Sequence, residues 1–132
     1  MISDYHPFHL NLLKVAYNNL LRQEPFCHEE LSENDAQFQR QLTDLVQAVE
    51  QQSGDYIESG QQILSRLVRH YPELVPLLPR DLFWYFGGEC LHFMPDDEIE
   101  IFQRLDEQRY EAESAGEPFH YEEARAHILG LH

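Results

Sequence analysis

Two short segments of the chain contain residue types that coordinate zinc or undergo thiol redox chemistry. They are Cys27 with His28, and Cys90 with His92. Thiolate sulfur and imidazole nitrogen are the usual ligands of tetrahedral zinc, but the paired ligands of a structural site are commonly separated by about two to four residues. Adjacent residues such as Cys27 and His28 need an unusual loop to converge on one ion. The spacing therefore makes a zinc site an alternative rather than the leading interpretation.

The same cysteines could respond to oxidants, but their sequence neighbours are acidic. A reactive thiol needs a lowered pKa, which nearby cations or a helix N-terminus provide. Glu29 and Glu30 follow Cys27, and Glu89 precedes Cys90. Because these carboxylates favour the protonated thiol, we expect both cysteines to be free thiols of low reactivity rather than redox sensors. A metal- or thiol-dependent sensor is the first alternative function.

Carboxylates cluster after Pro95, at Asp96, Asp97, Glu98 and Glu100. Such groups can exchange protons or bind a divalent cation, but acidic residues are also favoured at the start of a helix. The segment lacks the glycine and distant glutamate of a calcium-binding loop, and the chain contains no phosphate-binding glycine loop or nucleophile elbow. A small helical enzyme with an acidic pocket is therefore a second alternative. The sequence identifies no catalytic residue and no cofactor for it.

The densest aromatic run of the chain is Phe83, Trp84, Tyr85 and Phe86. Successive residues point around a helix, so these rings cannot all enter one core. Trp and Tyr are enriched among interface anchors because each combines a large apolar area with a polar tip. We therefore predict that Trp84, Tyr85 and Phe86 anchor a partner, with steering by the carboxylates after Pro95. A helix buried on all sides would accommodate the run equally well.

One locally basic zone contains Arg66, Arg69, His70 and Arg80. Guanidinium groups can pair with carboxylates of the same molecule or hold an anionic ligand. Internal pairing is the expected outcome because acidic residues outnumber basic ones so strongly in this chain.

The formal net charge of −15 restricts the possible partners. It repels phosphate backbones and anionic lipid surfaces, so neither direct nucleic-acid binding nor membrane binding is expected. The same field accelerates association with a basic protein and also keeps a protein soluble. A protein partner with a basic face therefore fits this charge best.

Composition predicts one globular domain over residues 1–132, since 42% of the residues are hydrophobic and 12% are aromatic. The first residues lack a basic segment followed by an apolar stretch, and no apolar segment approaches membrane-spanning length, so a cytoplasmic location is expected. Lys14 is the only lysine among nine basic residues. This arginine bias is typical of GC-rich bacterial genomes.

Apolar residues recur at helical spacing along most of the chain, and no strand-like alternation persists. Helices are predicted over 8–22, after a cap at Ser32, after a cap at Asp55, from Pro72, over 79–93 with a break at Gly87, from Pro95 to Ser114, and from Pro118. The expected fold is all-α, with five to seven helices in a bundle-like or orthogonal arrangement.

Individual positions within these helices give further expectations. Gly60 lies on the buried side of its helix and predicts a close helix crossing. Tyr110 is assigned to the apolar face of the helix that begins at Pro95, and Leu131 to that of the last helix.

The sequence therefore predicts a small acidic cytoplasmic module that binds another protein as a regulator, adaptor or inhibitor. A self-complementary aromatic patch would instead produce a homodimer through the same residues.

Overall fold

The first three α-helices begin and end close to their predicted positions. A computed structural model describes residues 3–130 of the chain. It contains α1 (Tyr5–Leu21), α2 (Glu33–Gln51) and α3 (Tyr56–His70). The Ser32 hydroxyl accepts a hydrogen bond from the backbone N–H of Asp35 at 3.1 Å, and Asp55 Oδ1 accepts one from that of Glu58 at 3.2 Å. Both predicted caps are confirmed, and each satisfies an N–H that has no partner within its helix.

The proline- and leucine-rich segment after α3 forms short helices. A 3₁₀ helix covers Pro72–Leu77, α4 covers Arg80–Phe86, and a second 3₁₀ helix covers Gly88–Phe93. Gly87 ends α4 with φ of 66°, a conformation that favours glycine. The predicted break at this residue is therefore confirmed.

Gly60 permits the close crossing of α3 and α4 that the sequence predicts. A Cβ atom at position 60 would lie 2.1 Å from Cδ1 of Phe86, and the contact involves the body of the ring rather than a flexible tip. Glycine is therefore the residue that lets the Phe86 ring lie directly against the backbone of α3.

The last two helices are α5 (Asp96–Ser114) and α6 (Tyr121–Ile128). The last helix begins after the predicted Pro118 because tertiary contacts fix the preceding residues. Phe119 forms a parallel β-bridge with Ser3, and the Asp4 carboxylate accepts hydrogen bonds from the backbone N–H groups of Tyr121 and Glu122. Leu131 lies outside the described residues.

Among residues 3–130 the structure has six α-helices and two 3₁₀ helices. The predicted all-α fold is confirmed. The chain folds so that α1 packs against α2, α4 and α6, while α3 packs against α2 and α4. One hydrophobic core joins them, and its large, fully buried side chains include Leu13, Leu20, Phe38, Leu45, Leu64, Leu67, Leu82, Phe83, Phe86, Leu105 and Tyr121. In this described part, every helix is too short or too polar to cross a bilayer.

Candidate functional site

The aromatic run of α4 is divided between the core and its margin. Phe83 and Phe86 are 0% and 2% exposed. Phe86 lies against Gly60 of α3, and Phe83 meets Phe93 edge to face with ring centroids 6.1 Å apart. The prediction that Phe86 anchors a partner is therefore wrong, because the ring fills the crossing between α3 and α4.

Trp84 and Tyr85 are partly buried, and their main contacts lie within the chain. The Trp84 indole Nε1 donates a hydrogen bond to Asp106 Oδ2 at 3.0 Å, and its ring stacks on Phe102. Tyr85 stacks on His9 with centroids 4.5 Å apart and planes 12° from parallel. Trp84 therefore packs against α5, whereas Tyr85 faces α1.

A buried cluster of aromatic and titratable side chains joins α1, α4, α5 and α6. Its aromatic members are Tyr5, His9, Tyr85 and Tyr121. His9 and Tyr121 are 1% and 0% exposed. This cluster was not predicted from the sequence, because its members are far apart along the chain. A weak signal was present, since Tyr5 and His9 are one helical turn apart at the start of α1.

Two ion pairs border this aromatic cluster. Arg125 of α6 binds both carboxylate oxygens of Asp81 on α4, with Nη2 to Oδ1 at 3.0 Å. Arg109 of α5 lies 3.6 Å from Asp106 Oδ1, and its guanidinium carbon lies 3.9 Å from the centre of the Tyr5 ring. The junction of α1, α4, α5 and α6 therefore contains both the aromatic cluster and, beside it, oppositely charged side chains in pairs.

Several polar atoms in this junction lack a hydrogen-bond partner among residues 3–130. They are His9 Nε2, the Tyr121 hydroxyl, Asp106 Oδ1 and Arg109 Nε. The other ring nitrogen of His9, Nδ1, lies 2.7 Å from the Tyr5 carbonyl oxygen and donates to it. Protonation would place a positive charge in a buried site and would add an N–H at Nε2 that has no acceptor among residues 3–130. The imidazole is therefore held in its neutral form.

Burial shifts the pKa values of this junction away from neutrality. It lowers the pKa of His9 to about 4 and raises the pKa of Tyr5 to about 12, with the Asp106 charge adding to the latter effect. The pKa values of Tyr85 and Tyr121 are also raised, chiefly by burial. These aromatic groups therefore stay neutral around pH 7, and their arrangement is suited to positioning helices rather than to proton transfer.

The carboxylates at the start of α5 divide between an internal ion pair and the surface. Glu98 accepts a hydrogen bond from Arg80 Nε at 3.0 Å, so its charge is neutralised within the molecule. Asp96, Asp97 and Glu100 are exposed. Three of the predicted steering carboxylates therefore remain available at the surface.

Tyr110 is the most exposed large hydrophobic side chain among residues 3–130, at 59%. The assignment of this residue to the buried face of α5 is wrong. The packed side of α5 continues from Phe102 and Leu105 to Arg109, and Tyr110, one position later, lies on another side of the helix. The Arg109 guanidinium lies 5.2 Å from the Tyr110 ring centre.

The predicted basic zone does not behave as a unit. Arg80 pairs with Glu98, as expected. In the described part of the chain, Arg66 and Arg69 form no ion pair with a carboxylate, so internal neutralisation is wrong for both of them. They line a groove between α2 and α3 together with His70.

The proposed zinc ligands do not assemble into a site. Cys27 and His28 are exposed in the loop after α1, and His28 pairs with Glu24. Cys90 is buried, with its thiol directed to the Gln61 carbonyl, whereas His92 is exposed. Across residues 3–130, no cluster of three or more His, Cys, Asp or Glu side chains has the geometry to hold a metal ion. Burial also raises the pKa of Cys90 to about 11, which leaves little reactive thiolate near pH 7.

Comparison with known proteins gives one family match. The family model described as PA2817-like matches residues 1–132. No curated protein and no solved structure matches the chain.

Proposed function

The chain belongs to the PA2817-like family, and we propose that it is a small acidic protein-binding module of the bacterial cytoplasm that docks on a basic face of a partner protein. The observation that carries this proposal is an exposed tyrosine within a row of exposed carboxylates on α5. We call this surface the acidic face of α5, formed by Asp96, Asp97, Glu100, Glu107, Tyr110 and Glu111.

Helical spacing places these residues side by side. Glu100, Glu107 and Glu111 are seven and four positions apart, or two turns and one turn, so they follow one side of the helix. Tyr110 is three positions after Glu107. Arg104 pairs with Glu100 at 3.0 Å on the same side. Because that pair is exposed, it contributes little to stability, and a cationic side chain of the partner can displace Arg104 from Glu100.

Tyr110 replaces Phe86 as the central anchor of the proposed surface. An exposed tyrosine supplies a large, rigid apolar area with one polar tip, which is why tyrosine is common at interface centres. The partly exposed Trp84 borders α5 through its contacts with Phe102 and Asp106. An anchor surrounded by negative charge favours a partner that presents arginine or lysine around an apolar pocket.

The same charge argues against self-association through this surface. A two-fold homodimer would bring the acidic face of α5 of one copy against that of another, and like charges in contact are unfavourable. A basic heterologous partner therefore fits better than the homodimer alternative. Light scattering of the purified chain at low and high salt distinguishes a monomer from a dimer.

A cross-linking experiment in native cells tests the proposal. A photoreactive amino acid at position 110 is expected to capture a specific protein, and the double reversal Glu107→Lys with Glu111→Lys is expected to abolish that capture. The matched control is Glu29→Lys with Glu30→Lys, which reverses exposed carboxylates in the loop after α1.

The captured protein is then purified and its affinity measured against salt. We expect weaker binding as NaCl rises from about 50 mM to about 300 mM, since screening shortens the range of the attraction. Equal loss of binding in both reversal variants would show that only the net charge matters. Undiminished binding by the α5 variant would place the interface elsewhere on the molecule.

A further inference from the structure

A groove of about 560 Å³ lies between α2 and α3, on helices other than the one that carries the acidic face. Arg66, Arg69 and His70 of α3 line one part of it. Leu45 and Ile63, both buried, supply an apolar floor. Its volume falls within the range of sites that hold small molecules.

The arginines of this groove are charged and lack an acidic partner. The chain has 24 acidic residues and nine lysines and arginines, yet within residues 3–130 neither Arg66 nor Arg69 forms an ion pair. By contrast, Arg80, Arg104 and Arg125 all do. In so acidic a molecule, two unpaired guanidinium groups that share one groove are a local excess of positive charge.

Neutral groups position Arg66 without cancelling its charge. Its Nη1 donates to the side-chain oxygens of Gln41 at 2.9 Å and Gln37 at 3.3 Å, and its Nη2 donates to the Asn34 carbonyl at 3.3 Å. A guanidinium group carries five N–H donors, so part of this fork remains available. Within the same residues 3–130, Arg69 uses only Nε, which donates to the Ser65 carbonyl at 3.3 Å, so that both of its terminal nitrogens are left for a ligand.

We propose that the groove between α2 and α3 binds a phosphate monoester of a small molecule. The planar donor forks of Arg66 and Arg69 match phosphate oxygens, and two guanidinium groups balance a dianion better than a single carboxylate. The apolar floor accommodates the organic part of the ligand. Asp44 also lines the groove and opposes anion binding. Because its repulsion grows with the charge of the ligand, the phosphate group must lie closer to the two arginines than to Asp44.

Titration of the full-length chain with phenyl phosphate tests this assignment. We expect saturable amide shifts in two-dimensional NMR spectra, centred on residues of the groove such as Gln41, Gln62 and Arg66. Benzoate, which carries one charge, is expected to bind more weakly, and uncharged phenol is expected not to bind. Inorganic phosphate is expected to compete. Affinity for phenyl phosphate should fall below about pH 6, where the second phosphate oxygen is protonated.

Variants distinguish this groove from a general charge effect. Arg69→Gln is expected to weaken phenyl phosphate binding by about tenfold to a hundredfold, the usual loss for a charge-assisted hydrogen bond. Arg22→Gln removes the same charge from an exposed arginine at the end of α1 that forms no ion pair within residues 3–130, and it is expected to leave the affinity unchanged. Because Arg69 is exposed, the variant should keep the circular dichroism spectrum of the parent.

Three outcomes would overturn the assignment: no saturable binding, shifts centred outside the groove, or equal loss in the Arg69 and Arg22 variants. The protein-binding proposal is tested separately. The α5 double reversal should bind phenyl phosphate normally, so either proposal can fail while the other stands.

Discussion

His9 is a titratable ring that the surrounding residues keep uncharged. Its face stacks on Tyr85, its centroid lies 5.0 Å from that of the tilted Tyr121 ring, and its Nδ1 donates a hydrogen bond to the Tyr5 carbonyl. The neighbouring charges are those of Asp81, Arg109 and Arg125. Their effects on the ring oppose one another, so burial dominates the pKa and the neutral imidazole is the form that fits.

The lowered pKa of His9 makes stability depend on pH. In the unfolded chain the imidazole takes up a proton near pH 6.5, whereas in the folded protein it does so only near pH 4. The stabilisation is therefore complete above about pH 6.5 and is lost as the pH falls toward 4. The loss is on the order of 3 kcal/mol for a shift of this size.

Urea unfolding between pH 7 and pH 4 measures this effect. His9→Phe keeps a stacking ring without a titrating group and should show a smaller decrease in the free energy of unfolding than the parent. His28→Gln, which changes an exposed histidine, should follow the parent curve. If the free energy of unfolding decreased equally with pH in the parent and in His9→Phe, His9 would not be a buried, neutral imidazole.

At the scale of elements, α6 depends on contacts with distant parts of the chain. It has only 8 residues, and so short a helix is marginal by itself. The Asp4 carboxylate caps its first N–H groups, and Arg125 ties it to Asp81 of α4. The position of α6 is therefore set by side chains from both earlier segments.

Removing the charge of Arg125 should destabilise the protein far more than removing an exposed one. Asp81 is 2% exposed, and Arg125→Met would leave its carboxylate buried without a cation, at a cost of about 3 to 5 kcal/mol. The matched control is Arg104→Met, which breaks the exposed pair with Glu100 and should cost less than about 1 kcal/mol.

Urea unfolding of both variants at pH 7 provides the comparison. If Arg125→Met and Arg104→Met lowered the free energy of unfolding equally, the ion pair between Asp81 and Arg125 would not be what holds α6 against α4. Asp81→Asn with Arg125→Met, which removes both charges, should recover part of the loss.

At the scale of the whole molecule, the net charge of −15 acts against the compact state. Carboxylates lie on most helices, and many of them are exposed. Asp96, Asp97, Glu107 and Glu111 are examples. Folding brings these like charges closer together, which costs free energy through self-repulsion. The charge that the proposed docking on a basic partner depends on therefore lowers the stability of the folded chain.

Salt should stabilise the folded chain. Raising NaCl from about 10 mM to about 200 mM shortens the Debye length from roughly 30 Å to roughly 7 Å and weakens this repulsion. The free energy of unfolding in urea is expected to increase, and the increase should be smaller in the Glu107→Lys, Glu111→Lys variant. A decrease with salt would mean that attractive pairs outweigh repulsion.

Local signals were sufficient to predict most of the helices. The caps at Ser32 and Asp55, the break at Gly87 and the crossing at Gly60 were all predicted from the sequence. Each depends on residue types that act over a few positions or on a backbone conformation that one residue favours. The start of α6 was placed too early, because the residues before Tyr121 are held by Ser3 and Asp4 at the other end of the chain.

The sequence by itself determined the all-α class, the helix caps and the strongly negative field. Only the tertiary structure decided which rings are covered, which arginines are paired and where the exposed tyrosine lies. Phe86 is buried because α3 presents a glycine to it, and Asp81 is neutralised by a residue 44 positions later. Helical periodicity defines the faces of a helix, but which face is covered depends on neighbours that approach from distant parts of the chain.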